Sequence, residues 1–483
     1  MINLRFITSI IGRLLWLESV FMLPCVVLAA VQGDWRSAAG FVGAFLLTVA
    51  AGALMVRAVK VDDRVLSKRD GYFIVTFTWV AFTLFGALPY LLGGAIESPV
   101  DAIFETMSGF TTTGSTILDD VEAMPRAALL WRSLTQWLGG IGIIVLFIAI
   151  LPGLGIEGRD LYVAEVTGPT HDKFSSTFTS TARHMWYLYI GLTALQCGLL
   201  LLGDVGWFDA LCHSLTTMSS GGYSTRQASV ATWNSSYVHG VFILFMLLSG
   251  TNFGLLNALF LGRPRRLFRD DEFRAYLLVI LVASLIVAVG LWGAGLLSPD
   301  RAFRDALFQV VSILTSTGFT TSDYLAWPPL LAAIVFILFF IGGCAGSTSG
   351  GMKCVRVYLL FKNSIAEMKR IIHPHAVIVV KYNGKGIHPG VMASVMGFFV
   401  LFMIIFGVSS LLMAYFTSDI ETACGTVLSA MSNTGPAFGD IGPLANHAAL
   451  PSAAKLFLAL LMLVGRLEIF TVLVLFSKAF WKK

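Results

Sequence analysis

A 14-residue segment that occurs four times constrains this chain more than any other feature. The four copies begin at residues 101, 209, 305 and 422 and align without a gap: "DAIFETMSGFTTTG", "DALCHSLTTMSSGG", "DALFQVVSILTSTG" and "TACGTVLSAMSNTG". Each has alanine in second place, hydroxyls in eighth and eleventh place, and glycine last. The final glycines are 108, 96 and 117 residues apart. Each unit is therefore far larger than a solenoid repeat, and the pattern predicts a fourfold pseudo-repeat.

Composition places these repeats in a membrane. Mean hydropathy is +0.80, only 13% of residues are charged, and apolar stretches approach the roughly 20 residues that span a bilayer as a helix. The apolar runs are continuous rather than alternating, which favours helices over a β-barrel. The six cysteines are scattered without a CxxC pair, which favours small packing residues over a disulfide framework or a metal site.

Each unit has an apolar span before its motif and another after it. The predicted pairs are 72–92 and 129–151, 185–202 and 238–261, 275–297 and 330–341, and 391–416 and 456–476, with two further spans at 14–31 and 41–56. A cleaved signal peptide is the alternative for the first span, but Glu18 and Pro24 interrupt it. We predict an all-α polytopic membrane protein divided into an N-terminal two-helix unit, 1–68, and four pore repeats, 69–155, 156–262, 263–375 and 376–483.

Charge assigns the sides of the membrane. The termini and the long linkers together carry 25 Lys and Arg against 11 Asp and Glu, net +14, whereas the opposite face carries 7 against 15, net −8. By the positive-inside rule, both termini are cytoplasmic and all four motifs enter from outside.

The motif is too short to cross the membrane, so it enters and returns to the same side. Short half-helices that begin at N-caps Asp101, Asp209 and Asp305 would aim their partly negative C-terminal ends inward, which favours a cation. The glycine that follows can turn backbone carbonyls toward a shared axis. Rings of carbonyls replace the hydration shell in potassium filters, so we expect four half-helix and loop units around one central ion pore.

These motifs resemble the Trk/Ktr/HKT superfamily of potassium transporters over essentially the whole chain. The two extra N-terminal spans and "GGCAGSTSGGMK" in the third unit resemble the bacterial TrkH branch. The resemblance implies that potassium is the transported ion and that it binds at four filter loops. It implies no organic cofactor in this chain. These loops are Thr112, Thr113, Gly114 and Ser115; Ser220, Gly221, Gly222 and Tyr223; Ser316, Thr317, Gly318 and Phe319; and Asn433, Thr434, Gly435 and Pro436. None spells the TVGYG of ordinary potassium channels, which indicates a shorter, less ideal filter.

A glycine-rich segment interrupts the third unit. Only about 14 residues separate Pro328 from this segment, too few for a full crossing, so it is expected at membrane depth beneath the filter. The resemblance implies an intramembrane gate formed by Gly342, Gly343, Gly346, Ser347, Thr348, Ser349, Gly350, Gly351 and Lys353. A cytoplasmic loop that simply ends the helix is the alternative.

Arg466 lies within the last apolar span, where an arginine is costly unless it faces a cavity or a partner. We predict that it partners the gate. The alternative is a structural pairing with Glu468 or with a neighbouring carbonyl.

Other motifs carry little weight. "GLGIEG" at 153–158 matches GxGxxG but follows a membrane span rather than a strand, and no HExxH or hydrolase triad is present. The acidic residues Asp119, Asp120 and Glu122 are expected to attract cations rather than to catalyse.

Three functions compete: a potassium-conducting uptake subunit, a secondary transporter of a small cation or solute with ion coupling, and an intramembrane enzyme. Four units in one orientation favour the pore over the inverted repeats of a transporter, and the enzyme lacks residues.

The resemblance also implies partners. They are a TrkA-like cytoplasmic nucleotide-binding regulatory protein and a second copy of this chain in a homodimer, in a bacterial inner membrane. The basic face predicts contact with anionic membrane lipid or an acidic protein, and no nucleic acid is expected.

Overall fold

The computed structural model describes residues 4–57, 68–142 and 178–482. Within these residues the regular secondary structure is almost entirely helical. The longer helices are Leu4–Val31, Trp35–Arg57, Lys68–Gly86, Phe178–Leu201, Asp271–Gly293, Cys354–Ile372 and Pro389–Met413. Three predictions lie partly or wholly outside the described residues: the end of the 129–151 span, the "GLGIEG" segment, and most of the linkers near residues 58–67 and 157–177.

The first two long helices form an antiparallel pair. Leu4–Val31 begins ten residues before the predicted span and continues through Pro24, and a turn with Gly33 at φ 75° leads into Trp35–Arg57. Gly12 and Gly52 face each other so closely that a Cβ on Gly12 would lie 2.8 Å from the Gly52 carbonyl oxygen. Small residues allow such close helix packing in membranes, where packing rather than water exclusion drives association.

Four short half-helices follow the predicted repeats. They are Pro99–Phe110, Trp207–Met218, Pro299–Leu314 and Ile420–Ser432. We name them the first to fourth half-helices, and the face at which they begin is the entry face.

The predicted N-caps of the half-helices are wrong in all three cases. The caps are Ser98, Gly206 and Ser298, and prolines at 99 and 299 occupy the first turn, where their fixed φ suits a helix start. Asp101 and Asp209 therefore lie inside the first turn, and Asp305 lies farther along its helix. Each aspartate instead pairs with a cation: Asp101 with Lys455 at 2.6 Å, Asp209 with Arg226 at 2.8 Å, and Asp305 with Arg304 at 3.0 Å.

The helices that leave the four loops are short. They are Arg126–Gly140, Ser236–Ser249, Pro329–Ile341 and Ser452–Arg466. The second and fourth were predicted as uninterrupted spans, and this prediction is wrong: they continue as Phe253–Phe260 and Phe470–Phe476 after bends of 108° and 107°. All four of these helices end after 13 to 15 residues, so a short outgoing helix is a shared feature rather than a peculiarity of the third unit.

The helix lengths agree with a polytopic membrane protein. Six helices among the described residues are long and apolar enough to cross a bilayer, or up to eight if each bent pair is one span. The remaining short helices are Leu88–Gly93, Pro264–Arg269, Phe470–Leu473 and Lys478–Trp481, with 3-10 turns at Ser229–Thr232, Tyr324–Ala326, Gly439–Ile441 and Val474–Phe476.

One small hairpin departs from the all-helical prediction. Lys381–Tyr382 pairs antiparallel with Lys385–Gly386 across Asn383 and Gly384, both of which have positive φ. A two-residue turn of this kind matches the twist of a hairpin. The hairpin lies at the face opposite the entry face, where Tyr382 joins a small apolar cluster with Val355 and Leu359.

Candidate functional site

All four half-helices end in the same hydrogen-bonded turn. In the first, the Thr112 N–H donates to the Gly109 carbonyl and the Thr113 N–H to the Ser108 carbonyl, both at 2.9 Å. The bond donated by Thr113 has an equivalent in each of the other loops. The donors are the N–H groups of Gly221, Thr317 and Thr434, at 2.9, 2.8 and 3.1 Å from the carbonyls of Thr216, Ser312 and Ser429. This is the Schellman arrangement, which satisfies carbonyls at a helix end and reverses the chain.

The reversal requires left-handed backbone at two positions of every loop. The residues just after the helices have φ of 55° at Thr112, 55° at Ser220, 52° at Ser316 and 51° at Asn433. The motif glycines have φ of 85° at Gly114, 72° at Gly222, 80° at Gly318 and 99° at Gly435. Glycine adopts such angles without a Cβ penalty, so the last residue of each motif is glycine for a conformational reason.

The four loops close into a ring. A Cβ added to Gly114 would overlap the carbonyl oxygen of Gly221 in the second loop, and one added to Gly222 would overlap the Thr317 oxygen in the third. Likewise, a Cβ on Gly318 would overlap the Thr434 oxygen, and one on Gly435 would lie against the Thr113 oxygen of the first loop. Each glycine therefore packs against the next loop in chain order, and the fourth packs against the first.

A hydroxyl behind each loop fixes the chain after the glycine. Ser108 donates to the Ser115 carbonyl at 2.6 Å, Thr216 to the Tyr223 carbonyl at 2.8 Å and Ser312 to the Phe319 carbonyl at 2.7 Å. In the fourth repeat Ser429 donates to the Gly435 carbonyl instead, at 2.9 Å, where Pro436 follows. The eighth-place hydroxyl of the motif thus braces the returning strand in every unit.

Sequence analysis missed the polar residue in fifth place. It is Glu105, His213, Gln309 or Thr426, and all four are buried. Glu105 accepts from the Thr116 hydroxyl and the Ile117 N–H at 3.1 Å, His213 lies 2.9 Å from the Ser224 hydroxyl, and Gln309 donates to the Ser322 carbonyl at 2.6 Å. The signal was available, because a polar residue recurs in fifth place of the aligned motifs.

A buried ion pair within the first repeat contacts two residues of the second. Arg132 donates to Glu105 at 2.7 Å, and their side chains are 2% and 0% exposed. The guanidinium also lies over the Tyr223 ring, 4.0 Å from its centroid, and donates to the Ser224 carbonyl at 3.2 Å. The Tyr223 hydroxyl returns a bond to the Glu105 carbonyl at 2.8 Å. A paired and hydrogen-bonded charge is the form in which burial is tolerated.

A cavity on the entry face opens onto the ring. Its volume is about 90 Å³, and all four motif glycines line it. Asn446 and His447, which follow the fourth loop, also line this cavity. The glycines therefore stand between this cavity and the interior of the membrane domain.

The acidic residues near this face are engaged with neighbours. Asp119 accepts from the Asn446 side-chain amide at 3.0 Å, Asp120 accepts from the Glu122 N–H at 3.0 Å, and Glu122 forms a half-exposed ion pair with Arg226 at 3.4 Å. They flank Val121, which lines the entry cavity, and so lie where a role in attracting cations requires them.

The glycine-rich loop lies directly beneath the ring, against three of the half-helix ends. The Thr348 hydroxyl donates to the Met218 carbonyl at 3.0 Å and lies 2.8 Å from the Ser220 hydroxyl. The Gly350 N–H donates to the Ser316 hydroxyl at 2.5 Å, and a Cβ on Gly350 would overlap the Ser432 carbonyl oxygen. The loop is thus packed against the half-helix ends inside the protein, and these residues do not form a surface loop.

Both ends of the loop are anchored. Glu272 accepts from the Ala345 N–H at 2.6 Å and from the Val355 N–H at 3.1 Å. Asn252, at the bend of the second outgoing helix, donates to the Ala345 carbonyl at 2.6 Å. Within the loop, the Lys353 ammonium donates to the Ser349 carbonyl. The anchors hold the loop between its flanking helices while its centre stays non-helical.

Arg466 connects this loop to the first repeat. Its guanidinium donates to the Thr348 carbonyl at 2.8 Å and to the Gly139 and Gly140 carbonyls at 2.6 and 2.8 Å. Glu468 pairs with Arg356. Arg466 therefore contacts the glycine-rich loop, as predicted, and it also donates to carbonyls of the first repeat.

A second cavity lies beneath the ring, on the side away from the entry cavity. Its volume is about 120 Å³, and residues 346–351, Lys353 and Arg466 line it. The order along the axis is therefore entry cavity, ring of four loops, glycine-rich loop with Arg466, and lower cavity.

The ring offers uncharged oxygen atoms as possible ligands for an ion. Among residues 4–57, 68–142 and 178–482, no cluster of three His, Cys, Asp or Glu residues could hold a metal ion. Backbone carbonyls and hydroxyls at the ring can replace the hydration shell of a monovalent cation without binding it too tightly to leave.

Comparison with known proteins identifies the family of the chain. The family model described as "TrkH: Cation transport protein" matches residues 38–483. The chain belongs to the TrkH family. The Trk system potassium uptake protein TrkH of Halomonas elongata is 40% identical and that of Escherichia coli 37% identical, each over the full length of both chains.

A solved TrkH-family structure has the same fold. The crystal structure of the potassium transporter TrkH from Vibrio parahaemolyticus superposes with a TM-score of 0.89 at 36% identity, covering 99% of this chain and all of the other. The predicted family and the predicted all-α, multi-pass membrane fold are therefore confirmed. The TrkH family is a family of transport proteins.

Proposed function

We propose that this chain takes up potassium ions through a channel-like pore whose selectivity filter is the ring of four loops. The observation that carries the proposal is ring closure, in which each motif glycine packs against a carbonyl oxygen of the next loop. Potassium coordination requires backbone oxygens from several sides around one axis, and a closed ring of four loops supports such an arrangement. The relatives' description as potassium uptake proteins supports potassium as the ion.

The carbonyls available to an ion differ among the sixteen predicted filter residues. Those of Ser115, Tyr223, Phe319 and Gly435 already accept bonds from hydroxyls behind the loops. The Gly221 carbonyl accepts from the Gln136 side-chain amide at 2.7 Å. We therefore assign the main coordinating role to the remaining carbonyls at and before the motif glycines, with the hydroxyl-bonded residues as the brace that holds them.

The gate in this proposal is the glycine-rich loop together with Arg466. The loop contacts three half-helix ends beneath the ring, and Arg466 fixes its Thr348 carbonyl to the end of the helix Arg126–Gly140. A positive charge held there opposes cation passage. Opening then requires the loop to leave the ring and Arg466 to release at least one of its carbonyls.

The proposal extends to the surroundings of the chain. Both termini and the basic linkers lie in the cytoplasm of a bacterium, the protein resides in the inner membrane as a homodimer, and a TrkA-like nucleotide-binding protein regulates the gate from the cytoplasmic side. The support is the charge difference between the two faces and the family resemblance.

A secondary transporter coupled to protons or sodium is the second candidate. The bends of 108° and 107° in the outgoing helices favour it, because discontinuous helices build the binding sites of many transporters. The pore is preferred because four half-helices enter from the same face.

Ion flux into liposomes tests the choice. The full-length chain is reconstituted with defined potassium, sodium and proton gradients, and tracer uptake is followed. A pore predicts flux that follows the potassium gradient whatever the proton and sodium gradients are. Uptake that stops when the proton or sodium gradient is abolished would support the coupled transporter, and equal sodium and potassium flux would contradict the filter.

A further inference from the structure

Two cavities adjoin at the entry face, on the side of the N-terminal helix, away from the ring. One is polar, about 320 Å³ in volume, and the other is an apolar groove of about 610 Å³. Trp207 and Phe208, at the start of the second half-helix, line both. The two spaces therefore adjoin at these two side chains, and we treat them as the polar end and the apolar end of one candidate site.

The polar end holds two cations and two anions. Arg226 pairs with Asp209 at 2.8 Å and, more loosely, with Glu122 at 3.4 Å. Arg126 is exposed, lies 5.6 Å from the Phe208 ring centroid, and has no carboxylate partner in the described ranges 4–57, 68–142 and 178–482. One guanidinium is thus available to a phosphate, while the half-exposed Glu122 carboxylate retains capacity to accept from a second donor.

The apolar end faces the region of lipid chains. It is lined by the second half of Leu4–Val31, a helix long and apolar enough to span a bilayer. Leu23 is 43% exposed and Val27 62% exposed. Trp207, at the junction with the polar end, is 58% exposed, and tryptophan is typical of the headgroup level of membranes.

We propose that this site binds one zwitterionic phospholipid of the entry-face leaflet. The phosphate bonds to Arg126, an ammonium headgroup donates to Glu122, and one acyl chain lies in the groove beside Val27. The balance of two cations and two anions favours a headgroup that carries both charges over one that is purely anionic. This site is separate from the lipid contact expected on the basic face.

The position of the site gives the lipid a structural consequence. Arg226 and Thr225, which line the polar end, follow the second loop of the ring and are tied to Asp209 of its half-helix, Thr225 at 2.6 Å. A headgroup that occupies the cavity restrains the same segment. The bound lipid therefore stabilises the second loop, whatever ion the ring conducts.

Lipid titration of the purified full-length chain tests the proposal. Phosphatidylethanolamine, phosphatidylcholine and phosphatidylglycerol with identical chains are added in detergent, and bound lipid is counted by native mass spectrometry while the melting temperature is recorded. We expect phosphatidylethanolamine to bind most tightly, and phosphatidylcholine to bind more weakly because its quaternary ammonium has no N–H to donate. Arg126→Gln should weaken phosphatidylethanolamine binding about tenfold by removing one charge-assisted contact.

Matched variants separate the site from general effects. Arg301→Gln removes another exposed arginine from the entry face, at the start of the third half-helix, and should bind lipid as the wild type does. Val27→Trp should fill the groove and displace the lipid, whereas Val42→Trp, on the neighbouring helix, should not. Because Val27 is exposed, its variant remains informative even if Arg126→Gln does not fold. Wild-type binding in both site variants, or an equal preference for phosphatidylglycerol, would overturn the proposal.

Discussion

At the scale of single residues, the motif glycines have the most demanding role. Each has positive φ, and each would drive a Cβ into the neighbouring loop. The positive φ and the close contact with the next loop each require a residue without a Cβ at Gly114, Gly222, Gly318 and Gly435. Either one alone would already disfavour a larger residue.

Gly318→Ser should reduce the preference for potassium over sodium by roughly tenfold, which corresponds to about 1.4 kcal/mol of differential binding. The added Cβ would meet the Thr434 carbonyl oxygen and lie 2.8 Å from Cδ of Pro436, so the fourth loop must shift. Tracer competition in liposomes measures the ratio. Gly293→Ser, at a position with open space around it, is the control. An unchanged ratio in this variant and in the corresponding variants of the other three glycines would show that the loops are not the filter.

Arg466→Ala should raise basal potassium flux at least about tenfold, because three charge-assisted hydrogen bonds and the positive charge beneath the ring are lost together. Arg466→Lys keeps the charge but cannot reach several carbonyls with one rigid fork, so its flux should lie nearer that of the wild type. Liposome flux and melting temperature are measured together. If Arg466→Ala melts normally and leaks no more than the wild type, the arginine is a structural tether.

At the scale of elements, the glycine-rich loop depends on its length. Removing Ser349 and Gly350 should increase basal flux, because the loop then no longer reaches the Ser316 hydroxyl and the fourth half-helix end. Electrical recording from planar bilayers measures this. Deleting two residues from the exposed segment 374–377 is the control, and it should leave basal conductance unchanged. Equal conductance in wild type and loop deletion, with the deletion folded and inserted, would contradict a gating role.

The broken outgoing helices show where sequence reasoning stops. The run from 238 to 261 contains neither charge nor proline, so its hydropathy indicates one span. Asn252 was a usable signal, since its side chain accepts from the Gly254 and Leu255 N–H groups at 2.8 and 3.1 Å and starts a new helix. The break after Arg466 had no such signal, because it places Glu468 and Ile469 at φ of 53° and 43°, angles that a β-branched residue rarely adopts.

The half-helices were predicted with correct ends but incorrect beginnings. Their ends follow from the hydroxyl and glycine pattern, which the Schellman turns and the left-handed angles explain. Their beginnings were placed at aspartates because aspartate is a favoured cap, whereas Ser-Pro at 98–99 and 298–299 carries the stronger signal. The aspartates instead pair with cations, including Lys455 in another repeat, and a single motif cannot reveal such partners.

At the scale of the whole molecule, the first two repeats meet where the buried Glu105 and Arg132 pair of the first contacts Tyr223 and Ser224 of the second. Glu105→Gln should lower the free energy of unfolding by roughly 3–5 kcal/mol, because Arg132 stays charged and buried without its partner. Thermal melting in nanodiscs measures the loss. Glu421→Gln, at an exposed position in the fourth repeat, should change the melting temperature little. Equal melting of the two variants would contradict the argument.

The membrane orientation can be read with thiol labelling. In a background without the six native cysteines, Asp120→Cys should react with an impermeant maleimide on intact cells, whereas His375→Cys should react only after permeabilisation. Both positions are exposed, so access rather than burial decides the outcome. The reverse pattern would invert the assignment of the two faces.

The contact between the fourth loop and the first has a consequence for how the protein is made. The Asn433 side chain donates to the Thr113 hydroxyl at 2.9 Å, across 320 residues of chain. The first three loops are synthesised before this partner has been translated, so the ring of loops has an open side until the ribosome has passed residue 433. Closure of the ring is therefore a late event in biogenesis, and a chain truncated before the fourth repeat leaves polar backbone facing lipid, a defect that membrane proteolysis can detect.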